Sequence, residues 1–223
     1  MEKNKKLILI LTSIGCLLPV CLSIAVYNDL PEQVAMQWNF EGNPNWYAHK
    51  AIGAFGLPFF LMIVNIITNI SMFYKDPKRE NISKVMQTFL AWSVPILSLI
   101  IMPLFLFKNL GVNVPIKMII LGLVGILLIF IGNYMPKNRQ NNTVGIRTLW
   151  TLKNNENWNK THRLAGILWI ICGMLFLITA FLPVENTIGI IIVLTILLMM
   201  ITVPIVFSFA LHKKEQNDYI NKI

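Results

Sequence analysis

His162 and Arg163 stand next to each other, with Glu156 six residues earlier. An imidazole, a guanidinium and a carboxylate this close are the groups from which a hydrolase builds a proton relay and an oxyanion partner. The set lacks a nucleophile. No GxSxG, HExxH, phosphate-cradling glycine loop or pair of carboxylates on one face accompanies it. The sequence therefore predicts no catalytic residues and no enzyme. Cys16, Cys21 and Cys172 show neither CxxC nor CxxxH spacing, so they read as inert thiols, and no disulfide, metal or other cofactor is expected. Asn65 and Asn69, one helical turn apart, either line a polar cavity or hydrogen-bond to neighbouring helices. Coupled transport normally keeps carboxylates at membrane depth, where each costs about 2.5–3.5 kcal/mol. Here all ten acidic residues fall in loops or tails.

The elements that must position these groups are set by composition. With 56% hydrophobic and 13% charged residues in 223, too few charges remain to solvate a globule of this size, and a lipid bilayer is the expected solvent. Crossing a hydrocarbon layer of about 30 Å takes about 20 helical residues. Six apolar runs qualify, near 7–27, 53–73, 85–107, 117–135, 164–182 and 188–211. Backbone amides in lipid must be satisfied within their own segment, and the alternation of a membrane barrel strand is absent. The predicted class is all-α: an integral membrane helical bundle of about six transmembrane helices. Lys3-Asn4-Lys5-Lys6 before an apolar stretch resembles a signal peptide, but that stretch runs on to Tyr27, too far for a signal core.

Charge sets the expected orientation. Sixteen of the nineteen Lys and Arg, Lys222 and Lys3 among them, collect on one side of the spans, whereas Lys50, Lys108 and Lys117 lie on the other with Asp29, Glu32, Glu41 and Glu185. Positive charge stays inside, so both termini are predicted to be cytoplasmic. The net charge of +9 is then topology beside an anionic leaflet, with no call for nucleic acid. The expected organisation is 1–74, two spans joined by an external aromatic loop over 28–52; 75–116, the third span; 117–211, with a basic cytoplasmic loop over 136–163; and a cytoplasmic tail, 212–223. Pro19, Pro58, Pro95, Pro103 and Pro204 should kink their helices. Gly122, Gly125 and Gly132 on the fourth span, and Gly166 and Gly173 on the fifth, form small-residue stripes that predict close packing of those two helices.

Two loops carry the remaining signal. In the external one, Asn43-Pro44-Asn45 reads as a turn, with Trp38 and Phe40 before it and Trp46 and Tyr47 after it, which predicts a short lid or hairpin. Its aromatic groups either anchor the loop to lipid headgroups or grip an apolar peptide. In the cytoplasmic loop, Asn154 or Asn155 is a candidate N-cap, and a helix from about Glu156 places Trp158 and His162 on one face, near Lys160 and Arg163. Trp150 and Trp158 are expected at interface depth, as an anchor or as a docking surface.

The run Gly132-Asn133-Tyr134-Met135-Pro136-Lys137, then Asn141, Gly145-Ile146-Arg147-Thr148, Trp150-Thr151-Leu152, Trp158, Thr161-His162-Arg163 and Gly166, closely resembles the signature of the SdpI family. Leu30-Pro31, Trp38-Asn39, Gly42, Pro44 and Lys50 resemble the small domain of unknown function that often precedes it. Leu149 stands where the family commonly has proline, which should loosen the turn before Trp150. Ala35 and Gln37 replace a proline and a histidine, so Gln37 gives little reason to expect a metal there. The resemblance implies a multi-pass plasma-membrane immunity protein that protects a bacterium from a secreted sporulation-delaying-type toxin. It implies toxin contacts at Trp38, Phe40, Trp46, Tyr47 and Lys50. It also implies a partner face, for a small winged-helix repressor, around Asn133, Asn141, Gly145, Arg147, Thr148, Trp150, Lys153, Trp158, His162 and Arg163. The alternative is a transporter or exporter of an amphipathic solute.

Overall fold

The computed structural model describes residues 2–220; Lys222 lies outside them, as does the side chain of Lys3. The chain forms helices α1 (Glu2–Leu17) and α2 (Pro19–Val26), then strands β1 (Gln33–Trp38) and β2 (Pro44–His49). Helices α3 (Leu57–Ile70), α4 (Lys84–Asn109) and α5 (Ile116–Tyr134) follow. A one-turn helix α6 (Leu149–Lys153) precedes the long α7 (Asn155–Phe181) and α8 (Asn186–Ile220). Among the described residues, six helical segments are long and apolar enough to cross a membrane: Asn4–Val26, Ile52–Lys75, Lys84–Asn109, Ile116–Lys137, Asn155–Phe181 and Asn186–Asp218. They match the six apolar runs of the sequence to within a few residues, except that the fifth begins nine residues before its run and the last ends seven residues after its run. Their outer faces display large apolar side chains such as Ile14, Phe60, Ile63, Ile126, Ile167, Leu194 and Val206, a surface for lipid and not for water.

Contacts divide the chain into two compact units: residues up to Lys75 with Gln87–Lys117, and Asp76–Met86 with Met118 onward. In the first, α1 and α3 are joined by buried polar groups. Asn65 Nδ2 donates to Thr12 Oγ1 at 3.1 Å, and Asn69 Nδ2 donates to Asn65 Oδ1 at 2.9 Å. Of the two readings of this asparagine pair, the interhelical bond is the one observed. Ser98 Oγ donates to the Cys16 carbonyl at 2.8 Å, tying α4 to α1. Each such bond contributes about 0.6 kcal/mol on average in lipid, so together they set register more than they supply stability.

Pro19 separates α1 from α2 and Pro58 opens α3 after a π-turn at Ile52–Gly56, whereas Pro95, Pro103 and Pro204 lie inside helices.

In the second unit the glycine stripes pack as their spacing predicts. A Cβ on Gly132 would come within 2.7 Å of the Gly166 carbonyl, and one on Gly125 within 2.7 Å of the Gly173 carbonyl. Bare backbones therefore meet along α5 and α7. Gly122 takes no part, having nothing within 4 Å. Helices α7 and α8 are joined by a buried polar cluster. Asn157 Nδ2 donates to the Ser208 carbonyl at 2.9 Å, and Ser208 Oγ and Thr161 Oγ1 both donate to Asn157 Oδ1.

Candidate functional site

The chain from Met135 to Asn154 is held by side chains from every part of the second unit. Asn141 sits fully buried within the connector: its Oδ1 accepts the amides of Thr143 (3.0 Å) and Val144 (2.7 Å), and its Nδ2 donates to the Arg139 carbonyl. Asp76, also buried, accepts from the Asn142 amide and from Thr143 Oγ1 at 2.7 Å. Asn138 Oδ1 takes the Ser83 amide at 2.9 Å. These bonds satisfy the polar backbone of residues 138–148, which have no regular structure of their own.

Trp158 and His162 do stand on one face of α7, stacked with ring centroids 3.8 Å apart. Both are buried. Trp158 Nε1 donates to the Asn138 carbonyl at 2.9 Å. The His162 ring nitrogens have separate tasks. Nε2 accepts the Ile146 amide at 3.0 Å, which leaves Nδ1 as the protonated nitrogen, donating to the Trp158 carbonyl at 2.7 Å. The imidazole is thus neutral in a fixed tautomer, and neither nitrogen is free for acid–base work. Glu156, the carboxylate of the imagined triad, pairs with Lys160 at 2.6 Å on the exposed side. Gly145 explains the sharp approach to this ring: its φ is +115°, and a Cβ there would collide with His162 Nε2.

After Gly145 the guanidinium of Arg147, on an exposed side chain, donates to the Asn142 carbonyl. Thr148 then caps α6: its Oγ1 accepts the Thr151 amide at 3.2 Å while Thr151 Oγ1 accepts the Thr148 amide at 2.9 Å. This reciprocal cap closes the turn at Leu149 without proline. Leu149 occupies the first helical position, where proline is favoured elsewhere, and its side chain is 74% exposed. Trp150 is half-buried, stacked on His212 (5.9 Å, 10°) and tilted against Phe209 (5.4 Å). Its buried indole N–H has no partner among the described residues. Asn154 is the N-cap of α7, accepting the amides of Glu156 and Asn157. Asn133, Lys153 and Arg163 are exposed. The residues of this segment thus split into an interior set (Asn141, Gly145, Thr148, Trp158, His162) and an outer set (Asn133, Arg147, Lys153, Arg163), with Trp150 between them.

In the first unit, residues 33–49 form the hairpin the loop composition predicts, but the turn lies earlier than Asn43-Pro44-Asn45. Asn39 and Asn43 close it through Asn39 N–H to the Asn43 carbonyl (2.9 Å) and the Asn43 amide to Asn39 Oδ1 (2.8 Å), with Gly42 at φ +86°. Pro44 instead begins β2. The hairpin is fixed to the end of α4. Leu30 and Val34 are buried with Met102, Phe105 and Leu106, and Trp38 meets Phe105 edge-on at 6.2 Å. Lys50, whose side chain is largely buried, pairs with Glu32 at 3.0 Å and lies 4.9 Å from the Tyr27 ring centre. That hydrogen bond and charge hold the Glu32 carboxyl below its ordinary range. Trp38 and Lys50 therefore brace the hairpin, and Phe40 is half-buried at its turn. Trp46 (56% exposed) and Tyr47 (51%) are the large aromatic groups left open on β2.

Sequence reading overlooked Asp76, Asn138, Ser208 and Asn109. Asp76 carried a faint signal, as a single acid between Lys75 and Lys78. The others are neutral residues whose partners lie tens of positions away.

A family model described as the SdpI/YfhL protein family matches residues 137–208, and one for a domain of unknown function (DUF1648) matches residues 14–62. The chain is 33% identical over 188 residues to the immunity protein SdpI of Bacillus subtilis (strain 168), covering 82% of this chain and 88% of that protein. No solved structure matches.

Proposed function

The chain belongs to the SdpI/YfhL protein family, and from that premise we propose that this multi-pass cell-membrane protein confers immunity by binding a secreted apolar toxin peptide at its hairpin, without turnover chemistry. The observation that carries the reading is the pair Trp46 and Tyr47, open to their surroundings on a strand whose partner strand is fixed to α4 by Val34, Trp38 and Asn109. Exposed rings with few charges around them are the groups that dominate peptide interfaces. A scaffold already ordered spares the binding step that cost.

The distribution of Lys and Arg supports an orientation with the hairpin outside and residues 136–154 and both termini inside. On the inner side Arg147, Leu149, Lys153 and Arg163 present charge and one large apolar side chain. That surface is the proposed seat of a small winged-helix repressor, held at the membrane when toxin occupies the hairpin. Trp158 and His162 serve it from behind, by keeping the connector in shape.

The test is growth. A strain lacking the chain should become sensitive to a cognate secreted toxin, and the wild-type chain should restore growth. Trp46→Ala or Tyr47→Ala, at equal membrane abundance, should lose about thirtyfold in binding if each ring is worth about 2 kcal/mol. Full protection by the double variant, or a deletion that changes sensitivity to no toxin, refutes the reading. Toxin flux across liposomes bearing the purified chain would instead favour the exporter.

A further inference from the structure

The two outer edges of the hairpin differ. The Lys50 amide donates to the Glu32 carbonyl at 2.9 Å, making that couple a hydrogen-bonded pair. Antiparallel pairing alternates, so in the observed register Val34 and Ala48 bond to each other, while Gln33, Ala35 and Tyr47 turn their N–H and C=O outward and His49 its N–H, its carbonyl leading into the helix that begins at Lys50. On β1 the consequence is visible. The Ala35 amide donates to Asn109 Oδ1 at 2.7 Å, and Asn109 Nδ2 donates to the Ala35 carbonyl at 3.1 Å. The carboxamide makes the two bonds a neighbouring strand would make, and closes that edge. The sheet ends at β2, where every residue but Ala48 is exposed. An open edge is a template for another chain.

We propose that the free edge of β2, at Tyr47 and His49, is a docking site where an extended peptide adds as a third strand. It rests on the immunity reading only in identifying that peptide as the toxin. Main-chain bonds supply the affinity, and alternate side chains supply the selectivity. Trp46 and Tyr47 point to opposite faces of the strand, so apolar side chains of the guest find a ring on either face. Asp29 and Glu41 are exposed carboxylates with no ion pair among the described residues, whereas Glu32 is taken by Lys50 and His49. The guest is therefore apolar and carries basic residues.

The experiment uses the full chain in lipid nanodiscs. The probe is a synthetic seven-residue strand of alternating valine and threonine with a lysine at each end. Its control is the same peptide methylated on every backbone nitrogen, which keeps side chains and charge but has no amide donor. The expected result is binding that slows hydrogen exchange at the Tyr47 and His49 amides, weakened at least tenfold by methylation. Tyr47→Pro, which removes the ring and an outward amide but no bond to β1, should weaken it at least tenfold more than Tyr47→Thr, which removes the ring alone. Equal binding of the methylated probe, no binding of either, or loss only with the ring would overturn the proposal. So would concentration-dependent dimers that Tyr47→Pro abolishes, since a second copy would then occupy the edge. Probe binding without any growth phenotype would remove the immunity reading and leave the edge standing, and the converse would do the opposite.

Discussion

Replacing Gly145 by alanine isolates the contact on which the connector turns. At φ +115° a residue with a Cβ is strained by about 1–3 kcal/mol. The new methyl would also occupy the space of His162 Nε2, so the ring must move and the Ile146 amide loses its acceptor. A lost hydrogen bond that leaves a partly buried donor unsatisfied costs about 1–3 kcal/mol more. Taking about 3 kcal/mol for the whole effect, local opening around Ile146 should become about a hundredfold more frequent. Hydrogen exchange in nanodiscs, followed at the Ile146 amide, reads this directly. Exchange at Thr12 and Asn65, which are hydrogen-bonded to each other within the other unit, should stay unchanged. If Gly145→Ala left Ile146 as protected as in the wild type, the assignment of His162 as the pin of this segment would be wrong.

Gly166→Val should push α5 and α7 apart, since a Cβ there meets the Gly132 carbonyl at 2.7 Å and the Pro136 ring at 3.0 Å. A loss of about 1–3 kcal/mol in detergent unfolding is expected, against none for Gly122→Ala, which has open space. Asn65→Leu removes the bond to Thr12 and the acceptor of Asn69, and the same unfolding assay should show a loss of about 1 kcal/mol. Glu32, held below its ordinary range by Lys50, contributes fully above that range and progressively less as pH falls through its folded value. Protection of the Lys50 amide, corrected for intrinsic exchange, should therefore decline on acidification, and Glu32→Gln should remove that pH dependence.

The spans were legible because lipid imposes length and apolarity on each helix independently, and the glycine stripes because bare residues recurring on a helix face favour close approach. The N-cap at Asn154 and the shared face of Trp158 and His162 follow from spacing alone. The hairpin was legible from its aromatic and turn residues, but its turn was misplaced by a proline that suits the first position of an edge strand as well as a turn. Trp158 illustrates what stays hidden. An indole in a basic loop reads as an interfacial or docking group, and only the distant Asn138 carbonyl turns it into an interior pillar. Asn109 is the same case: a helix-terminal amide whose role depends on a strand 74 residues earlier.

The proposed orientation, with the aromatic hairpin outside the cell and the basic connector inside, can be read by labelling. Single cysteines at Glu41→Cys and Lys153→Cys, both exposed positions, in a chain with Cys16, Cys21 and Cys172 replaced by serine, would test it with a membrane-impermeant thiol reagent. With that orientation, Glu41→Cys is labelled in intact cells and Lys153→Cys only after permeabilisation. Labelling of both in intact cells, or the reverse order, would contradict it.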